Sequence, residues 1–124
     1  MKLKTAELDG LLLDATVALA IGIKLLAAGS CYQHPAVGWR YKPNGQPYPW
    51  SPSMLWVDGG PIIERERISI RASSRSPCVW HACASAIMEG EGRSCGPLVR
   101  GPTPLIAAMR AYITSKLGDE VEIS

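Results

Sequence analysis

Proline and glycine punctuate this chain so densely that a bundle of long helices is excluded: 12 glycines and 10 prolines stand among 124 residues. Proline fixes φ and donates no backbone hydrogen bond, and glycine favours turns, so the pattern predicts short elements joined by tight turns. The length is that of one domain, 1–124, and such a chain buries roughly two-thirds of its unfolded surface without disulfides or metals. Hydrophobic residues make up 47% of it, too many for a disordered protein.

The clearest element is near the C-terminus. Thr103 is placed to cap a helix whose first residue is Pro104, and Gly118 ends it. Leu105, Ile106, Met109, Tyr112, Ile113 and Leu117 form its expected buried stripe, with Arg110 and Lys116 in solvent. A second helix is expected from Asp9 to about Ile21, capped by Asp9 and ended by Gly22. Its predicted stripe is Leu8, Leu12, Ala15 and Leu19, widened by Leu13, Val17 and Ala20. Ile23 to Leu26 either continues that helix or begins a strand.

Between the helices the pattern is that of short strands. Val37 to Tyr41 is one, followed by the turn signal Lys42-Pro43-Asn44-Gly45. Gln46 to Pro52 holds three prolines, so it is an edge strand or a loop. Gly59-Gly60-Pro61 should open a short helical turn anchored by Ile62 and Ile63, with Glu64, Arg65 and Glu66 in water. Ile68 to Arg71 alternates as a half-buried strand, and Cys78 to Ile87 is another. In the latter, Val79, His81 and Cys83 share one face, and Cys78, Trp80 and Ala82 the other. Gly90 to Gly96 reads as a turn, and Val121 and Ile123 as a last short strand. This order gives an α+β fold, with a small antiparallel sheet of about four or five strands packed by an N-terminal and a C-terminal helix.

Several of these segments resemble the NinX-like family of small phage and prophage proteins. The resemblance is carried by Trp50-Ser51-Pro52-Ser53, by the run Trp56 to Glu66, by Gly101 to Arg110, by Gly118 to Glu122, and by Leu8-Asp9-Gly10 with its apolar helix. It implies an accessory protein of a temperate phage, with no assigned biochemical activity and no catalytic residue to carry over. Arg67 stands where relatives tend to have glycine. The Cys78 to Cys95 region lies outside the resemblance.

Chemistry-bearing residues are present, but simpler readings account for them. Cys31-x-x-His34 and Cys78-x-x-His81-x-Cys83, with Cys95, offer soft ligands at short spacing. On a strand, however, Cys78 and His81 face opposite ways, and ordinary free thiols are the simpler expectation, so no metal and no other cofactor is assigned. Asp58, Glu64, Glu66 and His81 could serve acid–base catalysis only if one cleft gathered them, and Glu64 to Arg67 alternates in sign like a solvated surface. Cys83 with His81 nearby could be a nucleophile, but a free cysteine is more commonly a small buried hydrophobe. The start of the last helix is no phosphate loop, because two prolines remove donors there. No catalytic residue is assigned, and the reading leans away from an enzyme.

What remains is a set of large aromatics in a chain without phenylalanine. Tyr48, Trp50 and Trp56, with Asp58, mark the loop 48–61 as the expected binding surface, the alternative being that they close the core. The expected partner is an unknown host or phage protein, with a homodimer as the simplest case. Nucleic acid is the alternative partner and is not indicated by charge: 13 basic and 11 acidic residues give a net +2, with no block of like charge. Glu7, Asp9 and Asp14 interrupt the apolar N-terminus and Lys24 its extension, so neither a signal peptide nor a membrane span is expected, and the bacterial cytoplasm is the expected compartment.

Overall fold

A computed structural model describes residues 2–22, 38–41, 47–86, 94–95 and 98–122. The elements run β1 (Lys2–Lys4), a 3-10 turn (Thr5–Glu7), α1 (Gly10–Ile21), β2 (Gly38–Tyr41), β3 (Pro47–Trp50), α2 (Trp56–Glu66), β4 (Ile68–Ala72), β5 (Trp80–Ala86), β6 (Ser94–Cys95), β7 (Val99–Gly101), α3 (Pro104–Leu117) and β8 (Glu120–Glu122). The class is α+β, as the sequence predicts.

Helix α3 organises the interior. Thr103 Oγ1 accepts the Ile106 amide at 3.1 Å, Pro104 opens the helix, and Gly118 caps its end. Leu105, Met109, Tyr112 and Ile113 are buried as expected, but so are Ala107, Ala108 and Ala111, so most of the circumference is core. Leu117, expected in the stripe, is exposed. The helix packs on β4, β5 and β7 on one side and on α1 on another.

The main sheet is antiparallel, with β5 flanked by β4 on one side and by β6 and β7 on the other. Ile70, Ala82 and Val99 are paired across β4, β5 and β7 and lie within or against the core under α3. Residues directly opposite in a sheet share a face, so the neighbouring row, Arg71, His81 and Arg100, projects from the outer face. Gly101 at the end of β7 brings the strand against the first turn of α3, where a Cβ would come within 2.5 Å of the Ala107 nitrogen. Two ribbons complete the set. β1 pairs with β8, and the Thr5 hydroxyl donates to the Gly118 carbonyl at 2.7 Å, so the two ends of the described chain are tied together. β2 pairs with β3, which makes the Pro-rich run a strand. The intervening Lys42 to Gly45 signal lies outside the described residues, as do Ile23 to Leu26 and most of Gly90 to Gly96.

Four expectations need correction. The buried face of α1 is Leu13, Asp14, Thr16, Val17 and Ala18, while Leu12, Ala15 and Leu19 are exposed. An almost wholly apolar helix carries little information on its own orientation, and here the polar partners of Asp14 decide it. Helix α2 begins at Trp56, so Pro61 lies inside it rather than at its first position. Its ring leaves the Val57 carbonyl without a helical donor, at a residue well exposed to water. Arg110 is not free in solvent: Nε donates to the Leu8 carbonyl at 2.7 Å and Nη1 to the Arg100 carbonyl at 3.0 Å. Cys83, expected as a free thiol, is disulfide-bonded, and its partner's side chain lies outside those described. Neither the expected compartment nor the opposed facing of Cys78 and His81 bears on Cys83's partner, because linear spacing does not report which cysteines the fold brings together. Among the described residues Cys78 is a free cysteine, and it is exposed. No helix among them is long and apolar enough to cross a membrane.

Candidate functional site

The turn joining β3 to α2 combines a buried polar base with an apolar crest. Trp50 closes β3 and is only 4% exposed, so it belongs to the core. Ser51, Pro52 and Ser53 follow it inward and are also buried. Burying this polar stretch requires partners. Asp14, itself inaccessible on α1, supplies them: Oδ2 accepts the Ser51 hydroxyl at 2.5 Å and Oδ1 the Ser53 amide at 2.9 Å. Asp58 in the first turn of α2 takes the Ser51 amide on Oδ2 at 2.9 Å. The Ser51 carbonyl then accepts the Met54 and Leu55 amides, which closes the turn and aims the chain into α2. Burial raises the Asp14 carboxyl above its ordinary range, and the hydrogen bonds from Ser51 and Ser53 pull against that rise. Among the described residues the Ser53 hydroxyl has no partner at hydrogen-bond distance and angle.

Helix α2 can sit this close because Gly59 has no side chain. A Cβ there would meet the Pro52 carbonyl oxygen at 2.4 Å and Leu105 Cδ2 at 2.6 Å. Once the backbone is fixed in this way, the next side chains have only solvent to face. Met54 is 57% exposed, Trp56 57% and Val57 78%, and Leu55 is partly exposed as well. Beside them lies an open cavity of about 600 Å³, with Met54, Trp56, Pro104, Leu105 and Ile106 on its walls and Asp9 and Ser53 at its polar edge. The crest therefore sets four successive apolar side chains at the surface above a buried, hydrogen-bonded polar turn.

Of the binding residues expected from sequence, Trp56 is on this surface and Asp58 lies beneath it as an anchor. Trp50 is corrected to the core. Tyr48 is in β3, and its side chain lies outside those described. Leu55, like Trp56, is expected from sequence to need a reason for any exposure on this loop, whereas Met54 and Val57 are not singled out there. Their signal was present as four successive apolar residues after Ser53, directly ahead of Asp58.

A second cavity, of about 700 Å³, lies along β7 between the 3-10 turn and the start of β8. Lys4, Arg100 and Arg110 line it together with Asp119, Glu120 and the free Cys78.

The groups considered for acid–base work are dispersed. Asp58 and Glu66 lie eight residues apart on α2, roughly 12 Å along the axis. Glu66 ion-pairs with Lys116 at 3.3 Å and Arg65 at 3.1 Å. Partial burial disfavours the Glu66 charge, but these two partners together hold its carboxyl below the ordinary range. Glu64 is exposed, and His81 is on the outer face of the sheet. Cys83, tied up in its disulfide, is not available as a thiolate or a metal ligand beside His81. Among the described residues no three His, Cys, Asp or Glu side chains gather into a cation site.

A search of curated proteins returns no match. A family model described as Bacteriophage P22, NinX matches residues 4–116.

Proposed function

The chain belongs to the phage P22 NinX family, and from that premise we propose that it is a phage-encoded accessory protein that works by contact with another protein through the crest Met54 to Val57. One observation carries the proposal: four successive apolar side chains are presented to solvent by a turn whose backbone is fixed from below by Asp14 and Asp58. Exposed apolar residues scattered singly mean little, whereas a contiguous patch on a rigid base is the usual form of a binding surface. Tryptophan at its centre is the residue type that most often dominates such contacts. A second copy of this chain is the simplest occupant, because paired homo-oligomers are the commonest assemblies.

The experiment is solution mass across a concentration series for the parent, Trp56→Ala and Val57→Asp. A parent above monomer mass is expected, with both variants returned to monomer at unchanged thermal midpoint. A parent that stays monomeric at high concentration removes self-association. Variants that associate like the parent remove the crest from the contact.

A further inference from the structure

Beyond the apolar crest, we propose that the exposed end of the main sheet's outer face, short of the buried Cys83, is a binding surface for the phosphodiester backbone of nucleic acid, centred on Arg71, His81 and Arg100. The three residues are far apart in sequence, and the fold sets them side by side. Arg71 on β4 is paired with His81 on β5, and His81 with Arg100 on β7. Opposed residues in an antiparallel sheet stand about 5 Å apart at Cβ, so the row spans roughly 10 Å. Arg71 and Arg100 are exposed and His81 is half-buried. Among the described residues none of the three has an ion pair: both ion pairs found there are on Glu66. A row of guanidinium groups on one sheet face repels itself, and a polyanion laid across the strands relieves that repulsion.

The surrounding sequence strengthens the case. No Asp or Glu occurs from Arg67 to Met88, nor from Gly92 to Gly118. Strands β4, β5 and β7 and the β4–β5 connection therefore carry no carboxylate, while Arg75 in that connection adds another exposed cation. The net charge of +2 conceals this segregation, because the acidic residues are concentrated elsewhere along the chain. Asp119 and Glu120 do share the cavity beside β7 with Arg100, but neither ion-pairs with it among the described residues. Arg71 and Arg100 stand two strand spacings apart, roughly 10 Å at Cβ, so they suit separate phosphates of one strand better than one compact anion. Trp80 faces the opposite side of the sheet, so among the described residues this row offers charge and hydrogen-bond donors without a stacking platform. Binding should be tolerant of sequence and strongly dependent on salt.

The test is fluorescence anisotropy with a labelled mixed-sequence single strand and a duplex of equal length, titrated with the whole protein. With about three phosphates neutralised, the affinity for the single strand should fall on the order of tenfold between about 50 and 200 mM salt. Arg71→Gln with Arg100→Gln should weaken low-salt binding several-fold and flatten the logarithmic salt slope by about 1.4, while the thermal midpoint stays at that of the parent. Arg65→Gln, on α2 and outside the row, should bind like the parent. Absence of binding at low salt would overturn the proposal, as would a double variant that binds like the parent. Competition by poly-aspartate as effective per charge as the nucleic acid would also overturn it, and would assign the face to an acidic protein instead.

Discussion

Asp14 shows how one buried residue can fix both a fold and a surface. Its two oxygens hold the Ser51 hydroxyl and the Ser53 amide, so Asp14→Ala leaves two buried donors unpaired at a cost of about 1–3 kcal/mol. Asp14→Asn keeps an acceptor for the amide and removes the buried charge. The carboxyl is raised in the folded state above its ordinary value of 3.8. The folded protein therefore holds this proton more tightly than the unfolded chain. Its contribution to stability is full below pH 3.8 and is lost as pH rises through the folded value. The stability of Asp14→Asn relative to the parent should accordingly improve as pH rises from below that value toward neutrality, read as urea midpoints. A constant difference across the range would contradict the shift. Arg67 makes a separate test. It ends α2 in the left-handed region, with φ 53° and ψ 48°, where glycine is at ease and a side chain costs roughly 1–2 kcal/mol. Glycine adopts that backbone without strain, and arginine is held in it here. Arg67→Gly should raise stability by about 1 kcal/mol, and Arg67→Val should lower it.

At the scale of elements, what could be read from sequence followed from how local the signal was. Helix α3 carried its own cap, its N-terminal proline and its terminating glycine, and all three act where expected. The boundaries of α1 were equally clear, but its orientation was not, because Asp14 finds its partners, Ser51 and Ser53, in the distant turn that follows β3. Strands β1, β6 and β7 are two or three residues long and exist only through pairing with distant segments, so no alternation could reveal them. The aromatic loop was visible as a whole, yet the division between buried Trp50 and exposed Trp56 depends on Gly59 packing against Pro52 and Leu105. Arg110 is the sharpest correction on α3 and gives a direct prediction. Met109→Ala should cost about 2–4 kcal/mol through lost burial and a cavity. Arg110→Ala should also be felt, at about 1–2 kcal/mol, because the Leu8 and Arg100 carbonyls lose a charged donor. Arg110→Lys should recover only part, since an ammonium lacks the planar fork that reaches both carbonyls. An Arg110→Ala midpoint equal to that of the parent would show the guanidinium to be solvated after all.

At the scale of the molecule, the chain presents two unlike surfaces on one core. The apolar crest stands on the turn into α2, and the cationic row stands on the outer face of the sheet that α3 packs against from within. Each was invisible in the composition, because total charge and aromatic content average over surfaces that only folding separates. The two tryptophans of the loop discriminate core from surface without any partner. Trp50→Ala should cost about 3–5 kcal/mol, and Trp56→Ala should remain within about 0.5 kcal/mol of the parent. The most direct measurement of the proposed function is photo-cross-linking in phage-infected cells, with the reactive side chain placed in turn at Val57 on the crest and at Glu64, exposed further along the same helix. Discrete protein adducts from position 57, absent from position 64 and lost when Trp56→Ala is added, are the expected result. No adduct from position 57, or the same adducts from both positions, would contradict a protein contact made through the crest.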